Sequence, residues 1–341
     1  MTMLLQTMAG SPFGGAEEFF VRLACGFQRA GIDQHCVVRP NEGRNPVLAA
    51  NGVSFDELPF GGRLDLRTPW GLRQQIKKHK PRIVLTWMNR ASRMTPSGDF
   101  TKVARLGGYY KLKNFRDCDH LIGNTKDICD YLVREGWPVE RTHYLPNFVD
   151  AVPGTAIDRA EFNTPSDAPL ILGLGRLHEN KGFDTLIRAL VDVPGAYLWI
   201  AGAGDLKDDL LKLSGECGVA DRVRLLGWRR DVADLFATCD VFCASSRHEP
   251  LGNMVIEAWA HGKPVVAQAS QGPVQLITQG ESGLLSPLED ATALANDLRT
   301  VLDDKSLSET LSANGRAAFE AEFTEDVVVA RYKAFFDEVA R

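Results

Sequence analysis

The sequence predicts an α/β protein of two doubly wound domains. Three observations carry that expectation. At roughly 150 residues per domain, 341 residues divide into about two,. From residue 169 onward, short apolar runs alternate with helical patterns, as parallel sheets with helices on both faces require. The charge also changes sign along the chain. Residues 1–150 hold 21 Lys and Arg against 15 Asp and Glu, whereas residues 151–341 hold 18 against 29, so the net charge of −5 is a cancellation. An asymmetry of that size points to different partners for the two halves.

The first strand is read at Met3 to Met8, followed by the Gly-rich loop AGSPFGGAE. Phe19, Phe20, Leu23 and Phe27 then share one face of a helix over Ala16–Ala30,. Strands are expected at His35–Arg39 and Arg82–Trp87, with a helix at Trp70–Lys80 ended by Pro81. Cys118–Asn124 reads as a weaker strand, Lys126–Glu135 as a helix, and His143–Asp150 as a short strand and turn. Residues 151–168, rich in Pro, Asp, Thr and Ala without apolar period, are the expected linker,. Strands then follow at Pro169–Gly175, Ala196–Gly202, Val223–Gly227, Val241–Ser246 and Pro264–Gln268, each leading into a helix. The expected domains are 1–150 and 168–324, with a C-terminal helix at about 325–341 packing back on the first.

Composition excludes several classes. The chain is 44% hydrophobic and 24% charged, which is ordinary for a globular protein,. No apolar run reaches the roughly 18–20 residues needed to span a bilayer, and MTMLLQTMAG lacks the basic start of a signal peptide,. Seven scattered cysteines without a Cys-x-x-Cys argue against a disulfide framework and fit a reducing cytosol,. The seven histidines show no ligand-like i,i+4 pair, and no Asp-x-Asp follows a strand, so no metal or other cofactor is expected,.

The chemistry concentrates in Ser246–Ala267, SRHEPLGNMVIEAWAHGKPVVA. Glu249 falls in a loop after a strand. Gly252 and Asn253 stand where a helix begins, and free backbone N–H groups there can cradle an anion. Glu257 lies one turn into that helix. Two isolated glutamates beside a capped helix would ordinarily be surface residues; the residues around them change that reading. Glu249-Pro250-Leu251-Gly252, then Glu257-Ala258, then Gly262-Lys263-Pro264-Val265-Val266-Ala267 resemble the retaining glycosyltransferases of the GT-B fold, of the family 4 type. GLGRLHENKGFDTLI (173–187), IAGAGD (200–205) and LLGWRRDVADLFATCDVF (225–242) match the same family in order. Gly14-Gly15-Ala16-Glu17 matches its Gly-rich loop, and Pro146-Asn147-Phe148-Val149-Asp150 its domain-closing motif, with Phe148 in place of the usual Gly.

That resemblance implies two Rossmann-like domains facing across a cleft, and transfer of a sugar from a nucleotide-diphosphate donor. Arg176 and Lys181 would neutralise the departing diphosphate. Glu249 would hold sugar hydroxyls and stabilise positive character in the ring. Glu257 would bind the ribose. Gly15, Leu251, Gly252, Asn253, Gly227 and Trp228 would complete the donor site, the last two beside the base. Trp228 reads equally well as packing. The family's histidine after the strand Arg82–Trp87 is absent, and Asn89 or Arg90 is the alternative polar contact. The acceptor is expected to be a saccharide or lipid-linked glycan of lipopolysaccharide or the cell envelope. Two rivals stand beside this reading: a nucleotide-sugar epimerase or phosphorylase-like enzyme of the same fold, and a non-catalytic sugar-nucleotide-binding partner.

One further stretch, KVARLGGYYKLKNFR (102–116), interleaves Lys102, Arg105, Lys111, Lys113 and Arg116 with apolar and aromatic residues. It reads either as a polybasic patch on an anionic membrane or as a solvated helix or a loop whose aromatics fill the core. The membrane reading places the protein in the cytoplasm, on the inner face of the membrane. No nucleic-acid-binding module is recognisable.

Overall fold

The structure, a computed structural model, describes residues 3–11, 14–62 and 64–340. The chain divides into two compact units, Met1–Phe148 with Glu325–Arg341, and Val149–Thr324. The first unit carries 24 Lys and Arg against 18 Asp and Glu, so the C-terminal helix leaves its charge at +6 and that of the second unit at −11.

The first unit is a seven-stranded parallel sheet. Its strands are β1 (Leu4–Met8), β2 (Gln34–Val38), β3 (Phe55–Glu57), β4 (Ile83–Trp87), β5 (Thr101–Leu106), β6 (His120–Gly123) and β7 (Thr142–Tyr144). Their order is β3-β2-β1-β4-β5-β6-β7, so the chain reverses direction across the sheet between β1 and β4. The register runs Leu4 beside Gln34 and Leu4 beside Ile83. Every residue of β1, β2, β4 and β5 is buried, the pattern of a sheet covered on both faces,. The helix Gly15–Arg29 supplies Phe19, Phe20, Leu23 and Phe27 to the main core. The C-terminal helix Glu325–Val339 closes that core with Val328, Tyr332, Phe335 and Phe336. Phe148 is fully buried there, with its ring edge-on to Phe19 at 5.3 Å.

The second unit is a six-stranded parallel sheet: β8 (Leu170–Leu174), β9 (Tyr197–Ala201), β10 (Val223–Gly227), β11 (Val241–Ala244), β12 (Val265–Gln268) and β13 (Leu284–Ser286). The order is β10-β9-β8-β11-β12-β13, with the reversal between β8 and β11. Residues expected as a linker lie along this unit. The Ile157 N–H donates to Thr238 Oγ1 at 2.8 Å, Arg159 pairs with Asp240, and the Trp199 indole donates to Thr164 at 2.9 Å. Two helices that the sequence reading did not place, Ala291–Asp303 and Lys305–Glu322, cover its faces. Among the described residues, no helix is long and apolar enough to cross a membrane.

Within 102–116 the structure corrects the expectation of a membrane patch at Lys102 and Arg105. The first part of this stretch is β5, a central strand, and Lys102 and Arg105 are 2% and 1% exposed. The Lys102 ammonium donates to the Thr95 carbonyl at 2.6 Å and pairs with Asp117. The Arg105 guanidinium lies 4.4 Å over the Phe19 ring and 4.8 Å over Trp87, donates to Tyr332 Oη at 2.8 Å, and also bonds to Asn147. Buried cations paired in this way are core groups. Lys111, Lys113 and Arg116 remain exposed, around a short turn at Leu112–Asn114, while Phe115 is buried.

Candidate active site

In open parallel sheets, ligands bind beyond the carboxyl ends of the strands where the strand order reverses. In the second unit that point lies between β8 and β11, and the sequence motifs converge on it. The loops leaving β8 and β9 pack tightly on each other, and glycines stand at the contacts. A Cβ on Gly202, after β9, would lie 1.8 Å from the Gly175 carbonyl oxygen, and one on Gly204 2.3 Å from that of Leu177. Gly175 itself has φ 145°, and a Cβ there would lie 3.0 Å from Lys181 Cε. The loop is thus pressed onto the β9 loop on one side while the Lys181 stem lies over the other.

Lys181 ends a short turn, Glu179–Lys181, that is docked onto the end of β11. Gly182 has φ 61°, and a Cβ on it would lie 2.1 Å from the Ser245 carbonyl oxygen. Ser245 Oγ donates to the Lys181 carbonyl at 2.9 Å, and the Arg247 N–H donates to the Asn180 carbonyl at 2.9 Å. The outcome is an ion pair across the switch point, Lys181 Nζ to Glu249 Oε2 at 2.6 Å, with side chains 24% and 15% exposed. Half-withdrawn from water, the pair is screened less than a surface pair would be.

Glu249 is fixed by backbone as well. Its carbonyl accepts from the Gly272 N–H at 2.6 Å, and Oε1 faces the Gly252 N–H at 3.4 Å. Gly252, at φ 71°, precedes the helix Asn253–Ala260 without a side-chain cap. A Cβ on Gly272 would lie 2.5 Å from Gly252 N. Lys181, Ser245, Ser246, Glu249 and Gly252 line one small pocket. It therefore combines an ammonium, a carboxylate and a helix N-terminus, groups suited to a diphosphate joined to a polyol.

Arg176 is exposed on the same loop, and none of the side-chain hydrogen bonds or ion pairs among the described residues involves it. Glu257 is half-buried one turn into the helix after Gly252, and Leu251 and Asn253 are half-buried beside its start. Gly227 ends β10 at φ 71°, and its carbonyl accepts from the Gly202 N–H at 2.7 Å. Trp228 is 65% exposed with the Arg230 guanidinium 5.1 Å over its ring, so it is not a core residue.

Arg247 is a site residue that the sequence reading missed. Its guanidinium takes Asp184 by two hydrogen bonds of 2.7 and 2.6 Å, Glu289 at 2.7 Å and the Glu179 carbonyl at 2.8 Å. The hydrogen bonds to Asp184 raise its pKa above the ordinary value. Burial pushes the Asp184 carboxyl up, but the Arg247 bonds outweigh it and hold it below the usual carboxylate range. This fork fastens the Lys181 turn to the loop that bears Glu249. Arg247 and Asp184 are far apart in sequence, so no spacing revealed the pair.

The first unit has a second pocket at its own switch point, beyond β1 and β4. It is lined by Gly10, Ser11, Glu17, Arg39, Asn89 and Arg90, among others. Glu17 Oε1 accepts from the Ser11 N–H at 2.6 Å and the Ser11 hydroxyl at 2.9 Å. Gly15 opens the helix Gly15–Arg29, and a Cβ on it would meet nothing within 4 Å. Asn89 is half-buried, and Arg90 is exposed with Nη1 3.4 Å from the Phe60 carbonyl. Trp87 is buried and donates to Gln6 at 2.9 Å, so it takes no part in the pocket's polar surface.

Comparison with known proteins identifies the family. The family Glycosyl transferases group 1 matches residues 155–318, and Glycosyltransferase Family 4 matches 13–152. The lipopolysaccharide core biosynthesis glycosyltransferase LpsE of Rhizobium meliloti is 36% identical over 323 residues, 94% of each chain. LpsD of the same organism is 33% identical over 95% of each. Among solved structures, a glycosyltransferase from Rickettsia africae superposes with TM-score 0.89 at 17% identity, covering 99% of this chain and 98% of its own. HepE from Anabaena, solved in complex with UDP, superposes with TM-score 0.85 at 20% identity over 99% and 100% of the two chains. With two Rossmann-like parallel sheets and relatives matched along nearly its whole length, this chain belongs to the GT-B-fold, group 1 glycosyltransferases and is an enzyme of that family.

Proposed function

We propose that this enzyme transfers a sugar, with retention of configuration, from a nucleotide-diphosphate donor to a lipid-linked acceptor of the lipopolysaccharide core. The names of the relatives LpsE and LpsD support the acceptor class. The Lys181–Glu249 pair at the β8–β11 switch point is the observation that carries the donor assignment. In the reaction the bond from sugar C1 to the diphosphate breaks, and its electron pair leaves with the phosphate. The acceptor hydroxyl oxygen bonds to C1, and its proton leaves for the diphosphate.

The proposed roles follow from charge. Lys181, already held over the pocket, would share its ammonium between Glu249 and the departing phosphate, with Arg176 as second cation. Charge that develops against a fixed ammonium is stabilised without reorganisation of the site. Glu249 would accept from sugar hydroxyls and face the cationic ring. Glu257 would take the ribose, and the exposed Trp228 ring would lie against the base. Asn89 and Arg90 would meet the acceptor. No metal is invoked, because two cations are available for the diphosphate. Among the described residues, the one His/Asp group of metal-binding dimensions, His35–Asp56–His79, belongs to the first unit. The enzyme would work on the cytoplasmic side of the membrane that carries its acceptor.

The test is transfer of labelled sugar from UDP-, GDP- and ADP-sugars to purified core acceptor, with product anomers assigned by NMR. The expected result is acceptor-dependent transfer with the donor's anomeric configuration, abolished in Glu249→Gln with the fold intact. Donor conversion without acceptor would favour the epimerase reading, and an inverted product would refute retention.

A further inference from the structure

Two side chains of the first unit, Leu64 and Leu66, stand 95% and 81% exposed, and Trp70 nearby is 65% exposed. Large apolar groups held in water call for a partner. The turn that carries the two leucines is held by hydrogen bonds. Asp65 between the leucines accepts from the Gly61 N–H at 2.7 Å, the Thr68 N–H at 3.0 Å and the Thr68 hydroxyl at 2.5 Å. Those bonds keep the Asp65 carboxyl below its usual pKa and commit its oxygens to the turn.

The helix Arg67–His79 follows directly. It buries Thr68, Gly71 and Leu72 and leaves Trp70, Arg73 and Lys77 exposed, three and four residues apart on one face,. Arg67 is exposed beside them. From 66 to 80 the sequence has five Lys and Arg and no Asp or Glu. Lys77 and Lys78 in the last turn complement the helix dipole, but Arg67 in the first turn opposes it. Local helix stability therefore does not explain this distribution.

We propose that this edge docks on an anionic bilayer, with Leu64, Leu66 and Trp70 in the interface and Arg67, Arg73 and Lys77 on the lipid headgroups. An apolar tip backed by cations, with a Trp at the boundary, has the chemistry of an interfacial anchor. The edge is also wired to the acceptor pocket. The Phe60 N–H donates to Thr68 Oγ1 at 2.9 Å, and the Phe60 carbonyl accepts from Arg90, which lines that pocket. The proposal rests on the reading of a lipid-linked acceptor and moves the membrane face away from residues 102–116.

The test is co-sedimentation of the full chain with phosphatidylglycerol/phosphatidylethanolamine vesicles and with pure phosphatidylcholine vesicles, alongside light scattering and turnover of a delipidated core acceptor. Wild type is expected to bind the anionic vesicles and not the neutral ones. Leu64→Ser/Leu66→Ser/Trp70→Ser should weaken that binding by about a hundredfold. Each Lys or Arg near an anionic surface is worth roughly fivefold, so Arg67→Ser/Arg73→Ser/Lys77→Ser should weaken it by about a hundredfold as well. Both variants should keep the wild-type melting temperature and turnover of delipidated acceptor. Lys111→Ser/Lys113→Ser/Arg116→Ser should bind as wild type. Wild type that ignores anionic vesicles, or both edge variants binding undiminished, would overturn the proposal. A wild-type dimer made monomeric by the Leu/Trp variant with vesicle binding unchanged would assign the edge to a second copy instead. Absence of turnover in wild type would count against the proposed function and leave the vesicle result standing.

Discussion

The two units share one plan and use it differently. Both are parallel sheets whose strand order reverses once, and both place a pocket beyond the strands at the reversal. In the acidic second unit the pocket holds an ion pair, Lys181–Glu249, set in a frame of glycine contacts too tight for any side chain. In the basic first unit the pocket is wider and lined by Glu17, Arg39 and Arg90, while two cations, Lys102 and Arg105, lie inside the core. Both units also use charge structurally, through Arg159–Asp240 and Arg247–Asp184 in the second and Lys102–Asp117 in the first. A net charge therefore describes neither surface.

The largest expected effect separates the two pockets by activity. Lys181→Ala should lower kcat by about 10²–10³-fold, the usual loss on removing one preorganised charge partner of a transition state. Arg90→Ala should leave donor hydrolysis near wild type and raise the KM for acceptor. Steady-state kinetics with each substrate varied checks both, and equal losses would erase the distinction between the units.

A second contrast concerns glycine. Gly202→Ala should displace the Gly175 loop and abolish nucleotide binding, because its Cβ has no room. Gly15→Ala should fold normally, because its Cβ meets open space. Any loss of turnover in Gly15→Ala would then mark a ligand contact. Calorimetric nucleotide titration and thermal melting of both variants decide this.

Arg105→Leu tests the structural use of charge. It strips Tyr332 and Asn147 of their charged partner, for a loss of about 3 kcal/mol from the first unit. Because Tyr332 sits in the helix Glu325–Val339, limited proteolysis should cut that helix first. Urea unfolding that matches wild type would contradict the assignment.

The smallest effect is on acid stability. Burial lowers the pKa of His35, His79 and His143, all in the first unit; in the second, burial also lowers His261. At His35 the Asp56 bond opposes burial and the neighbouring His79 and Lys78 reinforce it. The unfolded chain takes up protons near pH 6.5 while the folded one resists, so this contribution is fully present above that value and is lost as pH falls,. The first unit should therefore lose more stability than the second between pH 7 and 5. His35→Asn should flatten the difference.

Much of the fold was legible because buried parallel strands write themselves as apolar runs bounded by glycine. β8 to β12 were placed that way, as were β1, β2 and β4. β5 was hidden because Lys102 and Arg105 interrupt its apolar run. Their partners, Asp117, Tyr332 and Asn147, are invisible until the chain is folded. In the candidate site, Lys181, Glu249 and Gly252 were legible from motifs, and the structure brings them into one pocket. Arg247 and Gly272 were not, since each acts through backbone or carboxylate partners distant in sequence.

The central claim is that the Lys181–Glu249 pair at the β8–β11 switch point marks where the donor's diphosphate and sugar bind. Hydrogen exchange with and without saturating nucleotide diphosphate tests it most directly. The account predicts protection concentrated at 173–182 and 245–257, lost in Lys181→Ala. Protection confined to 9–17 and 87–90, with 173–182 and 245–257 exchanging unchanged, would contradict it.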